Sequence, residues 1–129
     1  MARPVPQFVY KIAESAPPTP LPASLPLSSL DAQDGFIHMS NLEQMPITAA
    51  KWFTQFNRLI VLKVDSAKAQ NLIGQFKWLD DGATGCIHLY SEKQANPEKL
   101  ESIGAETVVG VFEWIRPDGK TWDQVPCPN

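Results

Sequence analysis

The chain has two histidines, His38 and His88. Imidazole is the side chain whose ordinary pKa lets it both give and take a proton near neutral pH. Both rings stand in matching segments fifty residues apart: Gly35-Phe36-Ile37-His38-Met39-Ser40 and Gly85-Cys86-Ile87-His88-Leu89-Tyr90 share the pattern Gly-x-Ile-His-apolar-hydroxyl. In an extended strand alternate side chains share a face. His38 then projects with Phe36 and Ser40, and His88 with Cys86 and Tyr90, while Ile37, Met39, Ile87 and Leu89 turn to the core. Each segment thus offers an imidazole beside a hydroxyl on an otherwise apolar face. That combination suits general acid–base chemistry, with Ser40 or Tyr90 orienting a substrate oxygen or stabilising an oxyanion. A lone strand histidine more often packs with its nitrogens satisfied by backbone; the matched pair is what makes the case for a site. The flanks of the two segments differ, so the repeat is not a duplication.

Other constellations carry less. Cys86 and His88 lie two apart on one strand, a poor geometry for a nucleophile and its base without a third residue. Neither histidine has a further ligand at metal spacing, and Asp31, Asp34 or Asp81 would join one only through the fold, so no metal is expected. Gly82-Ala83-Thr84-Gly85 lacks the length and lysine of a phosphate loop, and there is no dinucleotide fingerprint. Trp52, Trp78, Trp114 and Trp122 read as core or rim packing; Trp78, just upstream of the second histidine segment, is kept as a pocket wall. Lys11, in an apolar strand, is either a solvated edge residue or an inward-pointing cation.

The elements that must position these groups read as α+β. Residues 7–12 alternate as a strand with Phe8, Tyr10 and Ile12 on one face. Residues 16–26 hold five prolines in eleven positions and form an extended loop, read as a surface connector. Asp34-Gly35 turns into the strand 36–40. Ser40 or Asn41, with Glu43 or Gln44 three residues on, caps a helix that starts near Pro46 and runs to about Phe56, burying Ala49, Ala50, Trp52, Phe53 and Phe56. Further strands are expected at 58–64, 75–79, 85–90 and 106–115, the last with Val108, Phe112 and Trp114 opposite Val109, Val111 and Ile115. A helix at 66–73 stops at Gly74, and 97–100 makes a helical turn. Strands outnumber helices and do not alternate with them.

With 129 residues, 43% hydrophobic and 19% charged, the chain is expected to form one globular domain over 1–129. The net charge of −3 is scattered, and no basic stripe suggests nucleic acid. No run is long enough to span a bilayer and the first ten residues lack a secretory signal, so a cytoplasmic protein with reduced Cys86 and Cys127 is expected.

Tyr10-Lys11-Ile12, Ser28 to Asp31, the run Asp34-Gly35-Phe36-Ile37-His38-Met39-Ser40, Thr48, Leu59 to Asp65, Trp78 and His88-Leu89-Tyr90 together resemble the DUF952 family, over residues 8–116. The Gly-Phe-Ile-His-x-Ser element is the specific part. Resemblance to that family implies an ADP-ribosyltransferase-like fold: two small mixed or antiparallel sheets around a cleft, with a few short helices. It also implies that Lys11, His38, Ser40, Trp78, His88 and Tyr90 line that cleft, and it admits NAD. The chain departs from the family pattern where Leu79 follows Trp78, where Cys86-Ile87 precedes the second histidine, and in the proline-rich loop. The late glutamate of active transferases has only Glu106 and Glu113 as counterparts by position.

The expected function is therefore a small two-histidine enzyme. His38 and His88 would catalyse isomerisation, cyclisation or elimination on a small, partly apolar metabolite, with Lys11, Phe36, Ser40, Trp78, Cys86 and Tyr90 around it and no cofactor. The alternatives are an NAD- or ADP-ribose-using transferase or hydrolase, and a non-catalytic ligand-binding module.

Overall fold

The computed structural model describes residues 3–82 and 84–129; the side chain of Asp81, weighed above as a metal ligand, lies outside the described part. Six strands run β1 (Phe8–Ala13), β2 (Ile37–Ser40), β3 (Arg58–Asp65), β4 (Gly74–Trp78), β5 (Cys86–Ser91) and β6 (Val108–Ile115). Three short helices join them: α1 (Ser29–Asp34), α2 (Met45–Trp52) and α3 (Ser66–Leu72). The strands form one sheet of order β4-β5-β2-β1-β3-β6, and every neighbouring pair is antiparallel. The α+β class is as expected. The two small sheets around a cleft are not found; a single continuous sheet takes their place.

Period-2 patterning shows where the sheet is covered. β3 is apolar without alternation because it is buried on both faces. Its Ile60, Leu62 and Val64 enter one cluster with Val9, Ile37, Met39, Ile87, Leu89 and Ile73. Its Leu59 and Val61 enter another with Tyr10, Met45, Ala49, Trp114 and Trp122. The first cluster is roofed by α3 and by the proline-rich segment, whose Leu21 and Leu25 pack against it together with Leu27 just beyond. That segment is a strap and not a passive connector: Leu25 N–H donates to Ile103 O at 2.8 Å and Ala105 N–H to Pro22 O at 2.9 Å. The second cluster is roofed by α2 and the C-terminal tail, where the Trp122 indole donates to Phe53 O at 3.0 Å.

Several local expectations change. Helix α2 ends at Trp52, which is 65% exposed and not buried. Its N-cap, Gln44, makes no side-chain cap; Asn41 Oδ1 instead accepts from Gln44 N–H at 2.9 Å in the preceding turn. Gly74 opens β4, and does so because a Cβ there would lie 1.8 Å from Tyr90 O. Residues 97–100 make turns and no helix. In β6 the register slips between Lys63 and Val64, so that Val64 pairs with Val108 but Lys63 with Gly110. The bulge at Val109 turns Val108 toward the first cluster and Trp114 toward the second, so they do not share a face as simple alternation predicts.

Candidate functional site

The two histidine segments are adjacent antiparallel strands, with His38 directly opposite His88. Their ring centroids lie 5.5 Å apart, edge to face. Phe36 stacks on His88 at 4.1 Å and touches Tyr90 at 5.2 Å. On the other side of β5, Lys77 is in register with His88 and its Nζ stands 5.0 Å over the Tyr90 ring. Alternation thus delivers Phe36, His38, His88, Tyr90 and Lys77 to one face of the β2-β5-β4 half of the sheet.

Helix α1, which the sequence reading passed over as a turn, supplies the carboxylates. Ser28 caps it by accepting from Asp31 N–H at 3.1 Å, and Gly35 closes it with φ 78°, the left-handed conformation glycine adopts without strain. That frame buries Asp31, 2% exposed, where β1 and β2 part. Asp31 Oδ1 accepts from the His38 backbone N–H at 3.1 Å and lies 2.7 Å from His38 Nδ1. Its Oδ2 lies 2.7 Å from Lys11 Nζ, which also donates to His38 O at 3.1 Å. The Asp31–Lys11 pair therefore takes the two backbone groups of His38 that face β1, and the paired register of β1 with β2 is confined to Tyr10 and Ser40. Burial raises the Asp31 carboxyl, but the Lys11 charge and the hydrogen bonds from Lys11 and His38 outweigh it, and the net shift is downward.

The second nitrogen of His38 meets Asp34: Nε2 to Oδ2 is 3.0 Å. The first contact is a hydrogen bond and the second an ion-pair distance, so the His38 ring stands between two carboxylates. His88 is placed differently. Neither of its ring nitrogens has a hydrogen-bond partner among the described residues. Burial, and then the neighbouring His38, lower its pKa, with Asp34 and Asp31 pulling the other way. One imidazole is held between carboxylates while its neighbour is held below its ordinary pKa.

The remaining expected residues fall elsewhere. Lys11 reaches the site from the strand gap, not from the open face. Ser40 is on the histidine face but 5% exposed, in register with Tyr10 and Cys86. Cys86 is half-buried beside it. Trp78 is in register with Ile87, on the opposite face, and packs against the first cluster; its indole donates to Arg3 O at 2.6 Å. It is not a wall of the histidine face. Asp31, Asp34 and Lys77 were missed as site residues. Ser28-x-x-Asp31 followed by Gly35 was a readable helix signal, and the alternation Gln75-Phe76-Lys77-Trp78 already put Lys77 on the polar face of β4.

The surface is open. A cavity of about 370 Å³ lies between α3 and β6, lined by Lys68, Leu72, Glu106 and Val109. A second, of about 220 Å³, lies beside Asn41, Glu43 and Gly85, and neither includes a histidine. Among the described residues no group of three or more His, Cys, Asp or Glu is arranged to hold a metal ion. No helix there is long and apolar enough to cross a membrane.

The crystal structure of protein CC0527 from Caulobacter crescentus is similar, with 25% identity, 93% of each chain covered and a TM-score of 0.62. A double mutant of that protein matches over the same share at 0.61. Comparison with curated proteins gives no match. Residues 20–103, which include both histidine segments and all of α1, match the family described as "Protein of unknown function (DUF952)", and the chain belongs to that family.

Proposed function

We propose that the His38–His88 face is the acid–base site of a small enzyme, moving protons on a small, partly apolar molecule in an isomerisation, cyclisation or elimination. His88 acts as the base and His38 as the acid. The observation that supports this reading is the asymmetry of the pair: two imidazoles in register, one clamped between Asp31 and Asp34, the other without a hydrogen-bond partner for its ring among the described residues and with its pKa lowered. Neighbouring titratable groups whose environments differ in this way divide into acid and base. Phe36 and Tyr90 offer the substrate an aromatic floor, and no cofactor enters the scheme. The reading places the protein in the cytoplasm, where Cys86 and Cys127 stay free thiols.

The ADP-ribosyltransferase resemblance suggests a second reading for the same face: NAD or ADP-ribose, with His38 at a ribose hydroxyl and a ring stacked on Tyr90. The row of rings Phe36, His88 and Tyr90 favours it. Against it stand the single sheet and the late glutamates. Glu113 is paired with Arg58 at 2.5 Å, and Glu106 lines the cavity by α3.

Solvent-exchange NMR in D2O tests the proposal. A panel of small carbonyl compounds is incubated with the protein and carbon-bound deuterium is measured. The wild type is expected to label at least one compound, His88→Gln to abolish the labelling, and His38→Gln to slow it by about 10²-fold or more. Labelling unchanged in both folded variants would sink the acid–base reading. Ligand binding without labelling would leave a binding module, and saturable NAD or ADP-ribose binding would favour the second reading.

A further inference from the structure

We infer that the ligand of this face carries a carboxylate, and that Asp34 holds that carboxylate's place on His38 while the face is empty. The inference deepens the acid–base reading and rests on it for calling the ligand a substrate. The two carboxylates on His38 are not equivalent. Asp31 is buried and fixed by Lys11 Nζ, by the His38 backbone and by its own helix cap. Asp34 has a third of its side chain exposed and, among the described residues, His38 as its only polar partner. It is the last residue of α1, the end of a helix where a negative charge is least favoured, and it is followed by the left-handed Gly35. Contact with His38 Nε2 is thus what keeps the Asp34 carboxylate where it is, and Gly35 lies next to it to absorb a change of backbone angle.

Nε2 is also the nitrogen of His38 left over once Asp31 has taken Nδ1, so it is the one that an incoming ligand can use. A ligand carboxylate arriving there would repeat the 3.0 Å contact Asp34 now makes. His38 would then serve as the acid on that carboxylate, meeting the charge that builds there as His88 takes a proton from the adjoining carbon. The ligand would find more than Asp34 finds. Lys77, over the Tyr90 ring and in register with His88, is a cation with no carboxylate partner among the described residues, so its charge favours a negative ligand on this face. The rings of Phe36, His88 and Tyr90 supply area for the apolar or aromatic body of the molecule. A loosely held internal carboxylate, a cation on the same face without a carboxylate partner among the described residues, and an aromatic floor together describe a small organic acid. Inorganic phosphate would use the charges but leave the rings uncovered.

Benzoate is the probe, with benzamide as its neutral counterpart, read by NMR titration of the whole chain. The contribution of a place-holder is removed in Asp34→Ala, and Asp34→Asn repeats the test with the side-chain volume retained. Both variants are expected to bind benzoate about three- to tenfold more tightly than the wild type, the factor by which an occluding state lowers apparent affinity. The shifts should centre on the His38 and Phe36 rings. Benzamide binding should not change, adding His38→Gln should remove the gain, and Lys77→Met should weaken benzoate binding in the wild type and the variants alike. Equal benzoate affinity in wild type and variants, or an equal gain for benzamide, overturns the inference. If benzoate behaves as expected but no compound is labelled in D2O, the carboxylate site stands and the acid–base reading falls. If labelling is found without a benzoate preference in the Asp34 variants, the acid–base reading stands and this inference falls.

Discussion

Burial and the neighbouring His38 hold the His88 imidazole below its ordinary pKa, with Asp34 and Asp31 opposing them, and that direction sets a sign for stability. In the unfolded chain the ring takes up a proton near pH 6.5, whereas in the folded chain it does so only at lower pH. Between the two values the unfolded state binds more protons, so stability is fullest above about pH 6.5 and falls as pH drops through the folded value. Urea denaturation at a series of pH values should therefore show a slope just below pH 6.5 that His88→Gln flattens. The steeper acid limb should remain, since Asp31, whose pKa is lowered, contributes its stability above the ordinary carboxylate range and loses it below. An unchanged slope in the variant would mean that His88 is not held neutral. At this scale the sequence showed the histidines and their strand neighbours, because period 2 alone puts Phe36 beside His38 and Tyr90 beside His88. It could not show Asp31: a carboxylate seven residues before His38 meets that ring only once α1 has folded the chain back.

Between elements, the telling feature is a strand pairing that is replaced. Where β1 and β2 part, the N–H and C=O of His38 are taken by Asp31 and Lys11, so an ion pair does the work of a ladder rung. Taking away one member leaves Lys11 with its charge partly buried and the His38 N–H unpaired. Asp31→Ala is expected to cost about 3 kcal/mol in urea denaturation, in the range for breaking a buried pair. Adding Lys11→Met should recover part of that loss, because no unpaired charge then remains. A cost below about 0.5 kcal/mol for Asp31→Ala, the level of an ordinary surface substitution, would show that the pair does not support the strand junction. Elements with a strong period were legible here: β1, β3 and β5 fall within a residue or two of where alternation and apolar runs put them. The bulge in β6 was not, because it arises from pairing with β3 and leaves no mark in the strand's own pattern. Nor was the strap of residues 16–26. Its prolines announced an extended chain, but Gly104 is what admits it: a Cβ there would lie 2.1 Å from Ala23 O.

Over the whole molecule, the site lies where the covering of the sheet runs out. One face carries a core across β3, β1, β2 and β5 under α3 and the strap. The other carries a core over β1, β3 and β6, under α2 and the tail. The β2-β5-β4 half of that second face is left for Phe36, His38, His88, Tyr90 and Lys77. Trp122, 1% exposed, closes the second core from the tail. Trp122→Ala is expected to cost about 3–5 kcal/mol, the range for emptying a buried aromatic site. The ring resonances of His38 and His88 should keep their positions in the variant that remains folded, since they sit on the other half of the sheet. A cost below about 1 kcal/mol would show that the tail is not part of the core. The sequence by itself determined the α+β class, the strands and, outside the bulged β6, which side chains of a strand share a face, since these follow from local periodicity. Only the tertiary structure decided that the strands make one sheet, that His38 and His88 stand opposite each other in register, and that Trp78 faces away while Asp31, Asp34 and Lys77 come in. Register and long-range charge pairing depend on which strands become neighbours, and no local pattern in the chain encodes that choice.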